Sequence, residues 1–136
     1  MKMIFSLVVA MSAASAQAGD LTLELHGIQA GKGQLMIGVF DSAESFLKKS
    51  MRKLVVPATS ADMTVSLQNL PEGVYAVSLY QDLNSNRKFD THLFGIPAEP
   101  YGVSNNAEGF MGPPKFDAAK ITVPAQGLTT SIKLHD

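Results

Sequence analysis

Apolar side chains recur at every second residue in several short runs of this chain. Leu21, Leu23 and Leu25 alternate with Thr22, Glu24 and His26, and the same period governs Leu35, Ile37 and Val39, then Met63, Val65 and Leu67. It returns at Tyr75, Val77 and Leu79, and again at Ile132 and Leu134. A two-residue period puts one row of side chains on each face of an extended strand, so these runs must form half-buried β-strands rather than helices. The runs at 21–25 and 35–39 read as a hairpin across the glycine-rich turn Gly31-Lys32-Gly33. Leu54-Val55-Val56-Pro57 reads as an edge strand, because Pro57 lacks a ladder donor. Asp41 with Glu44 three residues on reads as a capping box opening a short helix that ends near Lys49, with Phe46 and Leu47 tucked beneath it. Turns at Asn69-Leu70-Pro71-Glu72-Gly73 and at Pro124 to Gly127 separate the later strands. The fold expected is all-β: an antiparallel β-sandwich of about seven strands, transthyretin-like or immunoglobulin-like, with one short helix and a long loop.

A chain of 136 residues suits one domain with a real hydrophobic core. Its first residues are set apart. Lys2, the apolar run from Ile4 to Met11, and Ala16-Gln17-Ala18 form a charged, apolar and small-residue succession that reads as a secretory signal peptide over 1–18. Residues 19–136 are then the mature domain, exported to the periplasm or the medium. No apolar run after it is long enough for a transmembrane helix. The chain has no cysteine, which removes disulfides, thiolate ligands and a Cys nucleophile. A net charge of −1, with scattered Lys and Arg, argues against nucleic acid as a partner.

From Asp82 to Ala118 the period is lost. Long irregular loops in compact domains are commonly functional, and this one carries aromatic residues throughout. It opens with Asp82-x-Asn84-x-Asn86-x-Lys88-x-Asp90, oxygen-bearing side chains at alternate positions. Calcium takes six to eight oxygens, and a loop curling round the ion presents alternate side chains inward. Asp82, Asn84 and Asn86 match the first three ligand positions, Lys88 offers its carbonyl, and Asp90 ligates directly or through water. Arg87 stands where a glycine is usual and Leu93 where a glutamate closes the shell. Glu99 and Glu108 are the nearest later acids. Turn chemistry, with Asp and Asn bonding their own backbone, explains the same residues. On the calcium reading, Asp82 has no partner without the ion, and its loss should barely change the ion-free melt.

The segments Leu70-Pro71-Glu72-Gly73-Val74-Tyr75, Asp82-x-Asn84-x-Asn86, Phe94-Gly95-Ile96-Pro97-Ala98-Glu99, Tyr101-Gly102-Val103-Ser104-Asn105-Asn106 and Pro113-Pro114-Lys115-Phe116-Asp117 together resemble an uncharacterised family of exported bacterial proteins, the domain of unknown function 2141. The resemblance spans the mature chain. It implies export and a sandwich akin to the transthyretin-like and carboxypeptidase-regulatory-like domains, and it carries no activity. Where the family commonly reads His-Asp-x-Asn-x-Asn-Gly, this chain has Gln81 and Arg87.

Enzyme chemistry finds little purchase. His26, His92 and His135 form no metal-binding pair at helical spacing, and Ser104 sits in no nucleophile elbow, so a hydrolase using Ser104, His92 and Asp90 ranks last. The expected protein is a non-enzymatic exported module whose partner is another exported protein, a glycan or a small molecule. A pocket lined by Tyr80, Phe89, Phe94, Tyr101, Phe110 and Phe116 is one reading of the loop aromatics. A satellite core beneath the loop is the other.

Overall fold

The computed structural model describes residues 18–90 and 97–135. Of the expected signal segment 1–18, residues 1–17 lie outside the described residues, as do His92, Leu93 and Phe94, while Ala18 opens the first strand. Eight strands are found among those described: β1 Ala18–His26, β2 Gln34–Phe40, β3 Arg52–Pro57, β4 Met63–Pro71, β5 Gly73–Asp82, β6 Tyr101–Val103, β7 Ile121–Val123 and β8 Leu128–Lys133. They form a three-stranded sheet in the order β4-β1-β8 and a five-stranded sheet in the order β3-β2-β5-β6, with β7 paired to the start of β5. Leu21, Leu23, Leu25, Val65, Leu67 and Ile132 from the first sheet meet Leu35, Ile37, Val39, Val77 and Leu79 from the second in one buried cluster. The architecture is therefore a sandwich, closed by the alternation that the sequence displays.

Strand pairing departs from expectation. β1 and β2 are not a hairpin: β1 pairs with β4 and β8, while β2 pairs with β3 and β5. Leu21 to Leu25 and Leu35 to Val39 are each other's cover, and side by side in one sheet they would leave that face bare. The link between them turns three times through left-handed glycines, Gly27, Gly31 and Gly33 (φ 79°, 78° and 60°), which carries the chain from one layer to the other. The β1–β8 pair is parallel, so the first sheet is mixed rather than purely antiparallel. β3 is an edge strand, as Pro57 suggests.

The expected helix at 41–49 is a run of turns. Ser42, not Asp41, caps it, its Oγ accepting from the Ser45 N–H at 3.2 Å. Two bonds of helical spacing follow, from the Phe46 N–H to the Ser42 carbonyl at 3.1 Å and from the Lys49 N–H to the Ser45 carbonyl at 2.9 Å, but Leu47 between them breaks the geometry with φ 61°. Phe46 is buried as expected, but Leu47 points out. Among the described residues the α-helix lies instead at Phe116–Ala119, a single turn. It begins inside the stretch 82–118, which is thus not one loop: it also holds β6 and a 3₁₀ turn at Ser104–Asn106. Phe40, Phe46, Ala76, Val103 and Ala119, with Phe116 against them, make a second small core on the outer side of the five-stranded sheet. Ser104 pins it. Its hydroxyl is buried, accepts from the Val77 N–H at 2.9 Å and donates to the Ala119 carbonyl, a packing role.

Candidate functional site

β5 ends at Asp82, and the chain then curls back on that residue. The Asp82 side chain is fully buried. Its Oδ1 accepts from the Asn86 N–H at 3.2 Å and its Oδ2 from the Arg87 N–H at 2.6 Å. These are charge-assisted bonds to the fifth and sixth residues of the loop, and they fix its curvature. Ser85 and Arg87 take left-handed backbones (φ 56° and 62°), so Arg87 adopts the turn that a glycine usually makes at this position. Asn84 and Asn86 form successive Asx turns, Oδ1 accepting from the N–H two residues on at 3.3 and 2.9 Å. Their amides donate to the Asp90 carboxylate, Asn84 at 2.9 Å and Asn86 at 2.9 and 3.0 Å to its two oxygens.

Four of the residues named from spacing are thus brought together: Asp82, Asn84, Asn86 and Asp90. Lys88 contributes its backbone to the same curl, as the N–H that Asn86 holds. One expectation fails. Asp82 has buried partners without any ion, so its loss must be felt in the ion-free protein. The Asn86 amide, as the main cause, holds the Asp90 carboxyl below its usual range. A depressed carboxylate stabilises the fold above the ordinary Asp range, and that contribution goes as pH falls through the lowered value.

Two residues important here were not legible from spacing. Glu99 does fold back: it is buried, with Oε1 accepting from the Asp90 N–H at 2.8 Å and Oε2 from the Leu83 N–H at 2.7 Å. It braces both ends of the loop rather than closing a ligand shell. Gln81, also fully buried, accepts from the Gln29 N–H at 2.9 Å and donates to the Gln29 and Lys32 carbonyls, both at 2.7 Å. It ties the glycine crossover to β5. Gly33 lies so close there that a Cβ would stand 1.9 Å from the Asp82 carbonyl oxygen. Neither role follows from local pattern, because each joins residues far apart in the chain. The one signal for Glu99 is an acid placed two residues after Gly95-Ile96-Pro97 in the sequence.

The carboxylates also act on the groove beside them. Burial, followed by the carboxylates of Asp82, Glu99 and Asp90, pushes the neighbouring Tyr80 hydroxyl up. Among the described residues the ion pairs are His26–Asp62 and Lys120–Asp117, so none of these three carboxylates is in an ion pair there, although Lys88 adds to the lowering at Asp90. No group of three or more His, Cys, Asp or Glu that could hold a metal ion occurs among the described residues, so any cation here must lean on the amide and carbonyl oxygens.

Beside the loop runs a groove on the outer face of the five-stranded sheet. Val55, Met36, Tyr80 and Tyr101 stand in register across four strands. Phe89 lies over this row, 5.2 Å from the Tyr80 ring and 6.0 Å from Tyr101. The next row holds Gly38 and Ser78, two small residues that form the floor. The expected aromatic set therefore divides: Tyr80, Phe89 and Tyr101 line the groove, Phe116 belongs to the small core, and Phe110 stands in solvent.

Compared with known protein families, residues 23–132 match the model described as "Uncharacterized protein conserved in bacteria (DUF2141)". No curated protein and no solved structure matches.

Proposed function

The chain belongs to the bacterial family DUF2141, whose members are uncharacterised, and we propose from its own site that it is a non-catalytic exported binding module. In this reading the Asp82–Asp90 loop takes a structural calcium ion and holds the aromatic wall of the groove, where the partner lies. One observation carries it. The loop already has the curl of a calcium loop, with Asp82 bonding the fifth and sixth N–H groups and Arg87 left-handed, while its carboxylates form no ion pair among the described residues. Asp82 and Asp90 with the Asn84 and Asn86 amide oxygens and the Lys88 carbonyl would hold the ion, and Glu99 would keep the two ends of the loop together. With two carboxylates as ligands, a calcium titration should show one weak site, of order 10⁻⁴–10⁻³ M, absent in Asp90→Ala. A flat titration for the wild type would leave the loop as turn chemistry alone.

The groove supports a second element of the reading. At about 1140 Å³ it exceeds the usual range for enclosed small-molecule sites, roughly 300–1,000 Å³. An extended partner such as a glycan or a peptide segment suits it better than a small molecule. Export is tested separately: intact mass of the protein recovered from the periplasm or medium should correspond to a chain beginning near Gly19. Full-length chain confined to the cytoplasm would contradict it.

A further inference from the structure

At the opposite end of the five-stranded sheet from Asp82, two other segments meet. The turn after β2 and the loop after β6 both lie where β2 and β6 leave the sheet, as the pairs Phe40–Ala76 and Val103–Ser78 show. They are locked together from behind, Phe46 packing edge-on against Phe40 at 5.4 Å and against Phe116 at 5.9 Å. Their outer sides are apolar. Phe110 and Met111 are 92% and 94% exposed, and Leu47 is 41% exposed. Leu47 and Met111 also hold left-handed backbones, φ 61° and 55°. The other non-glycine residues in that region are Asn, Ser or Arg, so these two are its apolar members. Both conditions cost free energy, since an apolar side chain is left in water on a backbone it disfavours. Strain of this kind gathers where a surface is used.

Three lysines stand on the same rim. Lys48, Lys49 and Lys53 are exposed, line the groove beside Leu47 and Met111, and enter no ion pair among the described residues. Glu108 is the acid that lines it with them, and Asp41 and Glu44 lie earlier on the same turn. We propose that this rim seats the protein on an anionic lipid bilayer, with Leu47, Phe110 and Met111 entering the headgroup region and the three lysines meeting lipid phosphates. Apolar tips from two separate segments, flanked by cations, suit a broad, yielding, negatively charged surface. This surface shares the groove with Arg87 and Phe89 but does not require an ion in the calcium loop.

The chain has no tryptophan, so Phe110→Trp gives a single reporter. Its emission should shift to the blue with vesicles of phosphatidylglycerol and phosphatidylcholine, stay unshifted with phosphatidylcholine alone, and revert as salt is raised. In vesicle co-sedimentation, Lys48→Glu with Lys49→Glu should weaken binding by roughly 20-fold or more, from about fivefold for each basic residue. Phe110→Ser with Met111→Ser should weaken it by roughly tenfold or more. All four side chains are exposed, so the melts of these variants should match the wild type. No shift and no pelleting with anionic vesicles would overturn the proposal. So would equal binding to neutral vesicles, or folded variants that pellet like the wild type.

Discussion

Asp82→Ala should destabilise the protein by roughly 2–3 kcal/mol in chelator, with no divalent ion present. The substitution orphans the Asn86 and Arg87 N–H groups, which now sit 3.2 and 2.6 Å from carboxylate oxygens. Unmade bonds to partly buried donors cost about 1–3 kcal/mol each, and relief from burying the charge offsets some of that. For a domain of this size the melting temperature should fall by very roughly 6–15 °C. Asp82→Asn should fall between, since one oxygen still accepts while its amide faces a donor. A melt within a degree of the wild type would mean that Asp82 does not hold the loop.

A comparable loss is expected in the core. Leu23 lies at the middle of β1, between Val65 of β4 and Thr130 of β8, and is wholly buried. Leu23→Ala removes its burial and leaves a cavity between two sheets that cannot close over it, at a cost of about 2–5 kcal/mol. Thr22 faces the other way on the same strand, and Thr22→Ala should stay within about 0.5 kcal/mol. Chemical denaturation of the pair separates the two faces of β1. Equal losses at both positions would contradict the sandwich.

Residues such as Leu23, Ile37, Val65, Val77 and Ile132 were legible because alternation is local: each neighbour says which face a side chain takes. Which strand lies beside which is not local. The pattern of Leu21 to Leu25 is equally satisfied by β2 next to it or β2 opposite it. The second holds, through a crossover of left-handed glycines whose sequence looks like a hairpin turn. The helix was misplaced for a related reason. Asp41 and Glu44 satisfy a capping rule one residue early, and nothing in the letters shows that Leu47 turns left-handed. At the site the same division applies. Asp82, Asn84, Asn86 and Asp90 could be read from spacing within nine positions, because a curled loop is a local object. Glu99 and Gln81 could not, since their partners come from across the 91–96 segment and from the crossover. The aromatics were half legible: composition marked them, and only topology assigned Phe116 to a core and Phe89 to the groove.

The calcium reading is tested most directly by the melting temperature of the wild-type protein in about 1 mM calcium and in chelator. A site with a dissociation constant near 10⁻⁴ M adds roughly 1.4 kcal/mol at that concentration. The melting temperature should then rise by very roughly 4–8 °C in calcium, and by less in magnesium, whose tighter octahedral shell an irregular loop fits poorly. Equal melting temperatures in calcium and in chelator would contradict the account and leave Asp82, Asn84, Asn86 and Asp90 as a self-capped turn.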